Sequence, residues 1–442
     1  MKVILLAGGQ SKRVKPIEDK CFVRVCGRYL IEHQLEALGK AGFDDVVIVG
    51  NANNLERLGE LAVGGVQIVV VEQVDLDGGM MAAMQAAKTE VIDEEAVFVV
   101  SSNDIVEDQL WQDVRTVLDE RTGDDGFMVG YKVQRYFPGG YLQLNDDGYC
   151  QSLAEKPGEG NEPSDLVNLV IHLHKDVKGL YAALEAASSE HDDVYEVALQ
   201  QLFDEQKKYS IVEYDGFWQA VKYPWHFLRL NEFFLGKLER SISSEAQISE
   251  TAVIQGDVVI EAGVRVFEYA VIKGPAYLST GTIVGDHAKL RESSVGAGSI
   301  VGGSAEVTRS LLGDKVETHD NFVGDSVLSD ETWFGAGTIT ANFRLDKKNL
   351  QLEIRGQKVD THRDKIGVIT GERVKVGINC STMPGVRIGS DSILDAGLRV
   401  NQDIPKKSYV KNGQILDVRK NKVWGLFFIR TTLYAMCVML FR

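Results

Sequence analysis

Cysteine is scarce in this sequence. Five residues (Cys21, Cys26, Cys150, Cys380 and Cys437) are scattered over 442 positions, odd in number and without a Cys-x-x-Cys pair. That usage excludes a disulfide scaffold and a cysteine zinc site and points to a reducing compartment. Basic residues are outnumbered: 48 Lys and Arg face 64 Asp and Glu, a net charge of −16. Such a balance excludes a nucleic-acid surface, although a mononucleotide needs only a local basic pocket. The first apolar run is too short for a signal peptide, so the N-terminal part is expected in the cytoplasm. The glycine-rich stretch near the N-terminus has neither the Gly-x4-Gly-Lys-Ser/Thr of a P-loop nor the Gly-x-Gly-x-x-Gly of dinucleotide binders.

What is present begins at once. Val3–Leu6 is an uncharged apolar run that predicts a buried parallel strand. It breaks into Ala7-Gly8-Gly9-Gln10-Ser11-Lys12-Arg13, and Ile31, Leu35 and Leu38 then recur at helical spacing. Glycines allow backbone N–H groups to approach a polyphosphate, a following helix N-terminus favours anions, and Arg13 and Lys20 add positive charge. Further β-branched runs at Val46–Gly50, Val66–Val71 and Val97–Val100 alternate with helical segments. The pattern predicts a doubly wound α/β domain with a parallel sheet and ligands at the carboxyl ends of its strands. Gln73, Gly78 and Asp104 fall at such ends, and a carboxylate there is placed to hold Mg²⁺ between phosphates.

Leu6–Arg13, Lys20 and Val25-Cys26-Gly27-Arg28-Tyr29-Leu30-Ile31-Glu32-His33 together resemble the signature of sugar-1-phosphate nucleotidylyltransferases. Ser11 and Cys21 stand where that family usually has glycine and proline. The Gly-Gly-Gln-Ser spelling is closer to the molybdenum-cofactor guanylyltransferase branch, which shares the fold and leaves base and acceptor open. The resemblance implies nucleotide binding by Leu6, Ala7, Gly8, Gly9, Gln73 and Gly78, with Arg13 and Lys20 as catalytic cations and Asp104 as the Mg²⁺ ligand. It also implies a sugar-phosphate pocket of Gly140, Glu155, Lys156 and Asn168. Ala220 stands near the position of a second metal-binding aspartate in many relatives.

From Ile248 the period becomes six. Ile248, Ile254, Ile260, Val266, Ile272, Leu278, Val284 and Leu290 are aliphatic with small residues between; the register slips near Val295 and Val301 and resumes at Val376, Ile388, Leu394 and Val400. A hexapeptide period with one inward aliphatic per short strand predicts a β-solenoid, and the hexad type resembles the left-handed parallel β-helix of acyltransferases. The charged stretch Arg344–Lys365 is expected to leave the coil. Thr318–Ser326 and Gly335–Asn342 resemble the acetyltransferase half of the bifunctional N-acetylglucosamine-1-phosphate uridylyltransferases. That likeness implies His319 as general base, acetyl-CoA as second substrate, a homotrimer, and sugar contacts by Arg291, Asn342 and Lys348. Phe322, Thr308 and Trp333 replace the usual tyrosine, lysine and asparagine.

The expected organisation is a Rossmann-like nucleotidyltransferase domain (1–224), a linker helix (225–244), a left-handed β-helix (245–412) and an apolar tail (413–442). Within the tail, Trp424–Phe441 reads as a helix packed on a trimer face or lying at a membrane surface. The expected activity joins an NTP, with UTP or dTTP favoured, to a sugar 1-phosphate. The alternative is a non-catalytic sugar-nucleotide-binding regulatory or assembly subunit.

Overall fold

The computed structural model describes residues 1–191 and 193–417. The tail expected over 424–442, with the membrane-surface contact and the localisation resting on it, lies outside the described residues. The chain divides into two compact units: Met1–Gln10 with Leu30–Ala220, and Ser11–Tyr29 with the residues from Val221 onward.

In the first unit, the run at the N-terminus forms the strand Lys2–Leu6, whose central residues Val3, Ile4 and Leu5 are fully buried. It pairs in parallel with Asp45–Gly50 on one side and Val97–Ser101 on the other, and Asp45–Gly50 pairs in parallel with Gln67–Glu72. Lys2–Leu6, Asp45–Gly50 and Val97–Ser101 are covered on both faces, which is why their runs do not alternate, whereas the edge strand Gln67–Glu72 is partly exposed. The sheet then departs from the all-parallel expectation. Leu166–His174 joins antiparallel to Val97–Ser101 and carries Gly126–Lys132 and Gly140–Leu144 antiparallel beside it, with Cys150–Glu155 at the edge. These later strands are joined by short connections without the helical crossover that parallel pairing requires. Helices cover the sheet: Leu30–Lys40 buries Leu30, Ile31, Leu35 and Leu38, a stripe at three- and four-residue spacing. The helix Gly79–Val91 buries Ala83, Met84, Ala87 and Val91 in the same way.

The helix expected from the spacing of Ile31, Leu35 and Leu38 is Leu30–Lys40. Between the glycine loop and this helix lie a short 3₁₀ turn at Lys20–Phe22 and a hairpin of Arg24–Val25 with Arg28–Tyr29.

In the second unit the hexads form a parallel β-helix, in line with the left-handed type read from the repeat. Two eight-stranded sheets run along it, and the third face is a four-stranded sheet and a five-stranded sheet joined by isolated bridges at Glu317. The coil length is the separation of register partners. It is eighteen residues at Val253↔Val271 and Val271↔Lys289, seventeen at Lys289↔Glu306, and sixteen at Glu306↔Phe322. Shortened corners therefore explain the slip near Val295: one residue is lost at a turn and the inward position is kept. Ile260, Val266, Ile272, Leu278, Val284, Leu290, Val295, Val301 and Val307 are all buried in one column of core, while Ile248 and Ile254, at the first coil, are only partly covered. Each fully buried aliphatic contributes about 1.5–3 kcal/mol. Corner residues adopt positive φ, including Tyr269 and His287 at 58° each, whose rings stack at 5.1 Å.

The excursion lies between Ile339 and its partner Ser381 and contains a hairpin, Gln351–Ile354 with Gln357–Asp360. The expected linker helix is His226–Leu235, and Ser241–Ile242 already pairs with Val259–Ile260. This helix packs on the coils: Asn231 Nδ2 donates to the Ser310 carbonyl at 3.3 Å, and Glu232 pairs with Arg363 at 2.5 Å. Ser11–Tyr29 is fastened to the same coils by the Arg24–Asp314 ion pair (2.9 Å), by Cys26 N–H donating to Ser294 Oγ (3.1 Å) and by Ser390 Oγ donating to Glu18 (3.2 Å).

Candidate active site

Two asparagines hold the glycine loop of the first unit. Asn51 Nδ2 donates to the Gly8 carbonyl (3.0 Å) and Asn54 Nδ2 to the Ala7 carbonyl (3.1 Å), while Asn54 Oδ1 accepts from Asn51 N–H (2.8 Å). These bonds turn the Leu6-Ala7-Gly8-Gly9 backbone at the carboxyl end of the first strand, leaving Ala7 and Gly8 buried and Gly9 exposed. The asparagines were missed as site residues; their signal is a cluster just after the strand Asp45–Gly50. Gly8 is required by close approach, since a Cβ there would lie 2.4 Å from Gln73 Oε1. Gln73 is buried, and its Nε2 donates to the carbonyls of Asp75 and Gly79, both at 2.9 Å. Both amide protons are used within the loop, so Oε1 is the group it presents toward Gly8. Gly78 precedes the helix Gly79–Val91 and donates its N–H to Asp75 Oδ1 at 3.0 Å.

Asp104 is buried at the start of the strand Asp104–Val106. Its Oδ1 accepts from Trp218 Nε1 at 2.8 Å. The strand Trp218–Ala220 pairs antiparallel with Asp104–Val106, which sets Ala220 opposite Asp104. Trp218 has no counterpart in the sequence reading, because its role depends on a pairing across more than a hundred residues.

The sugar-side residues converge. Gly140 is the register partner of Glu155, and a Cβ on Gly140 would lie 3.1 Å from Glu155 Oε2 and 3.6 Å from Asn168 Cβ. Glu155 also pairs with the exposed Lys156. A cavity of ≈ 550 Å³ opens here, lined by Gly78, Glu155, Lys156, His191 and Tyr195 among others. It therefore joins one residue of the expected nucleotide group to two of the expected sugar group.

In the second unit Arg13 is exposed and Lys20 half-buried, the latter with its N–H 3.4 Å from Ser11 Oγ. Arg291, Thr308, Asp325 and Asn342 gather at one edge of a β-helix face. Arg291 Nε donates to Thr308 Oγ1 (2.9 Å), Asn342 Nδ2 to Asp325 Oδ2 (2.5 Å), and Arg309 forks onto Asp325 through two bonds of 2.8 Å. His319 is not among them. It is exposed at the corner that precedes the strand Phe322–Gly324, whereas Arg291, Asp325 and Asn342 follow or end theirs; its ring stands edge-on to Trp333 at 5.8 Å. Lys348 is exposed on the excursion and is not brought against this group.

Residues 3–159 match the MobA-like NTP transferase domain and residues 238–329 the GMPPB C-terminal domain. A bifunctional protein GlmU of Methanococcus vannielii is 31% identical, over 95% of this chain and 100% of its own length. The bifunctional protein GlmU of Methanocaldococcus jannaschii is 30% identical, over 96% and 100%. The chain belongs to the GlmU family of sugar-1-phosphate nucleotidyltransferases. A bifunctional sugar-1-phosphate nucleotidylyltransferase/acetyltransferase of Sulfurisphaera tokodaii matches at 29% over 93% of this chain and all of its own. Membership makes the chain an enzyme and sets aside the purely regulatory alternative. The likeness to these relatives spans the sequence of both units. No helix among the described residues is long and apolar enough to cross a membrane.

Proposed function

We propose that this enzyme transfers a nucleotidyl group from an NTP to the phosphate of a sugar 1-phosphate. A phosphate oxygen of the sugar 1-phosphate attacks the α-phosphorus in line; the new P–O bond forms as the bond to the β-phosphate oxygen breaks, and pyrophosphate leaves. The observation that carries this reading is the cavity shared by Gly78, Glu155 and Lys156. It is large enough for a sugar phosphate and has a carboxylate for hydroxyls beside an ammonium for phosphate. The loop Leu6–Gly9 supplies backbone to the triphosphate, and Arg13, Lys20 and Lys156 neutralise its charge.

Gln73 supports UTP or dTTP. With both Nε2 protons engaged, its oxygen needs a donor, which the imide N–H of uracil or thymine provides and cytosine lacks at that position; guanine N1–H is also a donor, and the NTP comparison below separates the two. Asp104 would hold Mg²⁺. Among the described residues no cluster of three His, Cys, Asp or Glu is arranged for a metal. One buried carboxylate fits Mg²⁺, which keeps waters and substrate phosphate oxygens as its other ligands and would screen charge on the phosphates.

A second activity is supported by the β-helix motifs: acetyl transfer from acetyl-CoA to an amino-sugar phosphate, with His319 taking the amine proton as the N–C bond forms and the thiolate leaves. Arg291 and Asn342 occupy the opposite edge of the face from His319, so a trimer that sets one chain's edge against another's is part of this reading. The four described cysteines are free and buried, which supports a cytoplasmic enzyme.

Pyrophosphate release with Mg²⁺ is tested across UTP, dTTP, GTP and CTP with several sugar 1-phosphates. Release that is lost in Asp104→Ala supports the transfer. Nucleotide binding without release from any pair overturns it. Thiol release from acetyl-CoA with glucosamine 1-phosphate, lost in His319→Ala, tests the second activity.

A further inference from the structure

Behind the sugar pocket lies a buried chain of polar side chains that the transfer reaction does not use. Asn168 Oδ1 meets His172 Nε2 at 2.9 Å, and His172 Nδ1 meets the Tyr195 hydroxyl at 3.0 Å. The same hydroxyl meets His174 Nε2 at 3.1 Å, and His174 Nδ1 meets the Tyr209 hydroxyl at 2.8 Å. Both histidines are 0% exposed, Tyr195 is 1% and Tyr209 3%. His172 and His174 come from the strand Leu166–His174; a bulge between Leu169 and His172 interrupts its pairing with Gly126–Lys132, near the origin of the chain at Asn168.

Counting protons gives this chain a direction. A neutral imidazole carries one N–H and one acceptor nitrogen, and a tyrosine hydroxyl has one proton. Suppose Asn168 turns its oxygen inward. Then His172 donates from Nε2, Tyr195 donates to His172 Nδ1, His174 donates from Nε2 to Tyr195, and Tyr209 donates to His174 Nδ1. Every proton in the chain has an acceptor. Reversing the amide reverses every link, and the last proton, on Tyr209, is left buried with no acceptor among the described residues. A buried unsatisfied donor is the costlier arrangement, so the first direction prevails. Burial holds the His172 pKa down at about 3 and that of His174 well below the usual imidazole range, so both stay neutral and able to accept.

We infer that His172, locked by Tyr195, His174 and Tyr209, is a positioning residue that holds the Asn168 amide with its oxygen inward and its NH₂ toward the sugar pocket. Asn168 Nδ2 donates to nothing among the described residues. Glu155, an acceptor, stands at the same glycine, Gly140. Asn168 and Glu155 together therefore present a fixed donor beside a fixed acceptor at Gly140. That pair suits a sugar offering an acceptor (a hydroxyl oxygen or an amide carbonyl) next to a hydroxyl that donates. Without the chain, the amide is free to present its oxygen, and two acceptors would face the sugar.

This inference rests on the nucleotidyl-transfer reading, and its test separates the two. On the full-length enzyme, imidazole ¹⁵N NMR is expected to show His172 and His174 as neutral Nε2–H tautomers; an Nδ1–H form of either overturns the inference whatever the activity. His172→Phe removes the ring nitrogen that holds the Asn168 amide while keeping an aromatic ring at that position. Its KM for sugar 1-phosphate is expected to rise roughly three- to tenfold, with the KM for the NTP unchanged. An unchanged sugar KM overturns the inference. Wild-type enzyme that releases no pyrophosphate with any substrate pair refutes the transfer reading instead, and the tautomers then still decide the direction of the chain.

Discussion

Ala220 is the register partner of Asp104, across an antiparallel pair in which Trp218, two residues earlier, donates its indole N–H to Asp104 Oδ1 at 2.8 Å. Directly opposed residues in such a pair share a face, with Cβ atoms about 4.5–5.5 Å apart. On the proposed reading, in which Asp104 would hold Mg²⁺, a methyl group occupies the place from which a second carboxylate would reach the same cation. A lone carboxylate there would leave the remaining ligand positions to water and substrate oxygens.

Ala220→Asp is expected to lower the Mg²⁺ concentration giving half-maximal pyrophosphate release by several-fold, because two carboxylates bind a divalent cation more tightly than one. Without metal the same variant is expected to be less stable by up to ~1 kcal/mol from like-charge repulsion. A Mg²⁺ titration that superimposes on wild type would remove the shared-cation argument.

Acidification is expected to destabilise the first unit through its two buried histidines. The folded pKa of His172 lies near 3 and that of His174 well below its usual value, both through burial, so the unfolded chain binds more protons below about pH 6.5. Their contribution is complete above that pH and is lost as pH falls toward 3, at about 1.4 kcal/mol per pH unit for each histidine. Urea midpoints followed by tryptophan fluorescence should decline over this window, and less steeply in His172→Gln. Equal slopes in the two proteins would contradict the assignment.

Gly27→Ala is expected to loosen Ser11–Tyr29 from the β-helix. Gly27 has φ +82°, and a Cβ there would lie 2.1 Å from the Tyr277 hydroxyl oxygen, which donates to Glu261. Left-handed strain and the clash together should cost at least ~2 kcal/mol. Limited proteolysis should cut within Ser11–Tyr29 in the variant before wild type; identical cleavage kinetics would count against the contact.

Thiol reagents should leave the folded enzyme unlabelled. Burial pushes Cys26 and Cys150 up to about 12 and raises Cys380, while Cys21 is also buried. At pH 8 a thiol of that pKa is a thiolate only about once in ten thousand. In a Cys437→Ser background, labelling should follow unfolding; rapid modification of native protein would show that one of these thiols is accessible.

The positions of the glycine loop and Asp104 at strand ends were readable because their signals are local. Gly8, Gly9 and Asp104 sit just beyond buried apolar runs, and strand ends are visible wherever such a run stops. The antiparallel half of the sheet was less readable, since direction is a property of pairing and not of a strand's own composition. The roles of Asn51, Asn54 and Trp218 were invisible for a related reason: each depends on which distant backbone or carboxylate it meets.

What the sequence by itself determined is the set of features that repeat or border at short range: buried strands, the glycine loop, and the six-residue period that stacks aliphatics in one column. These follow from side-chain volume, burial and backbone freedom within a few residues of one another. Tertiary structure alone decided that Ala220 faces Asp104, that Ser11–Tyr29 is fastened to the β-helix, and that Asn168 begins a chain ending at Tyr209. Those relationships join residues far apart along the chain. Their energy comes from satisfying buried donors, acceptors and charges together, a condition that exists only once the chain has closed around them.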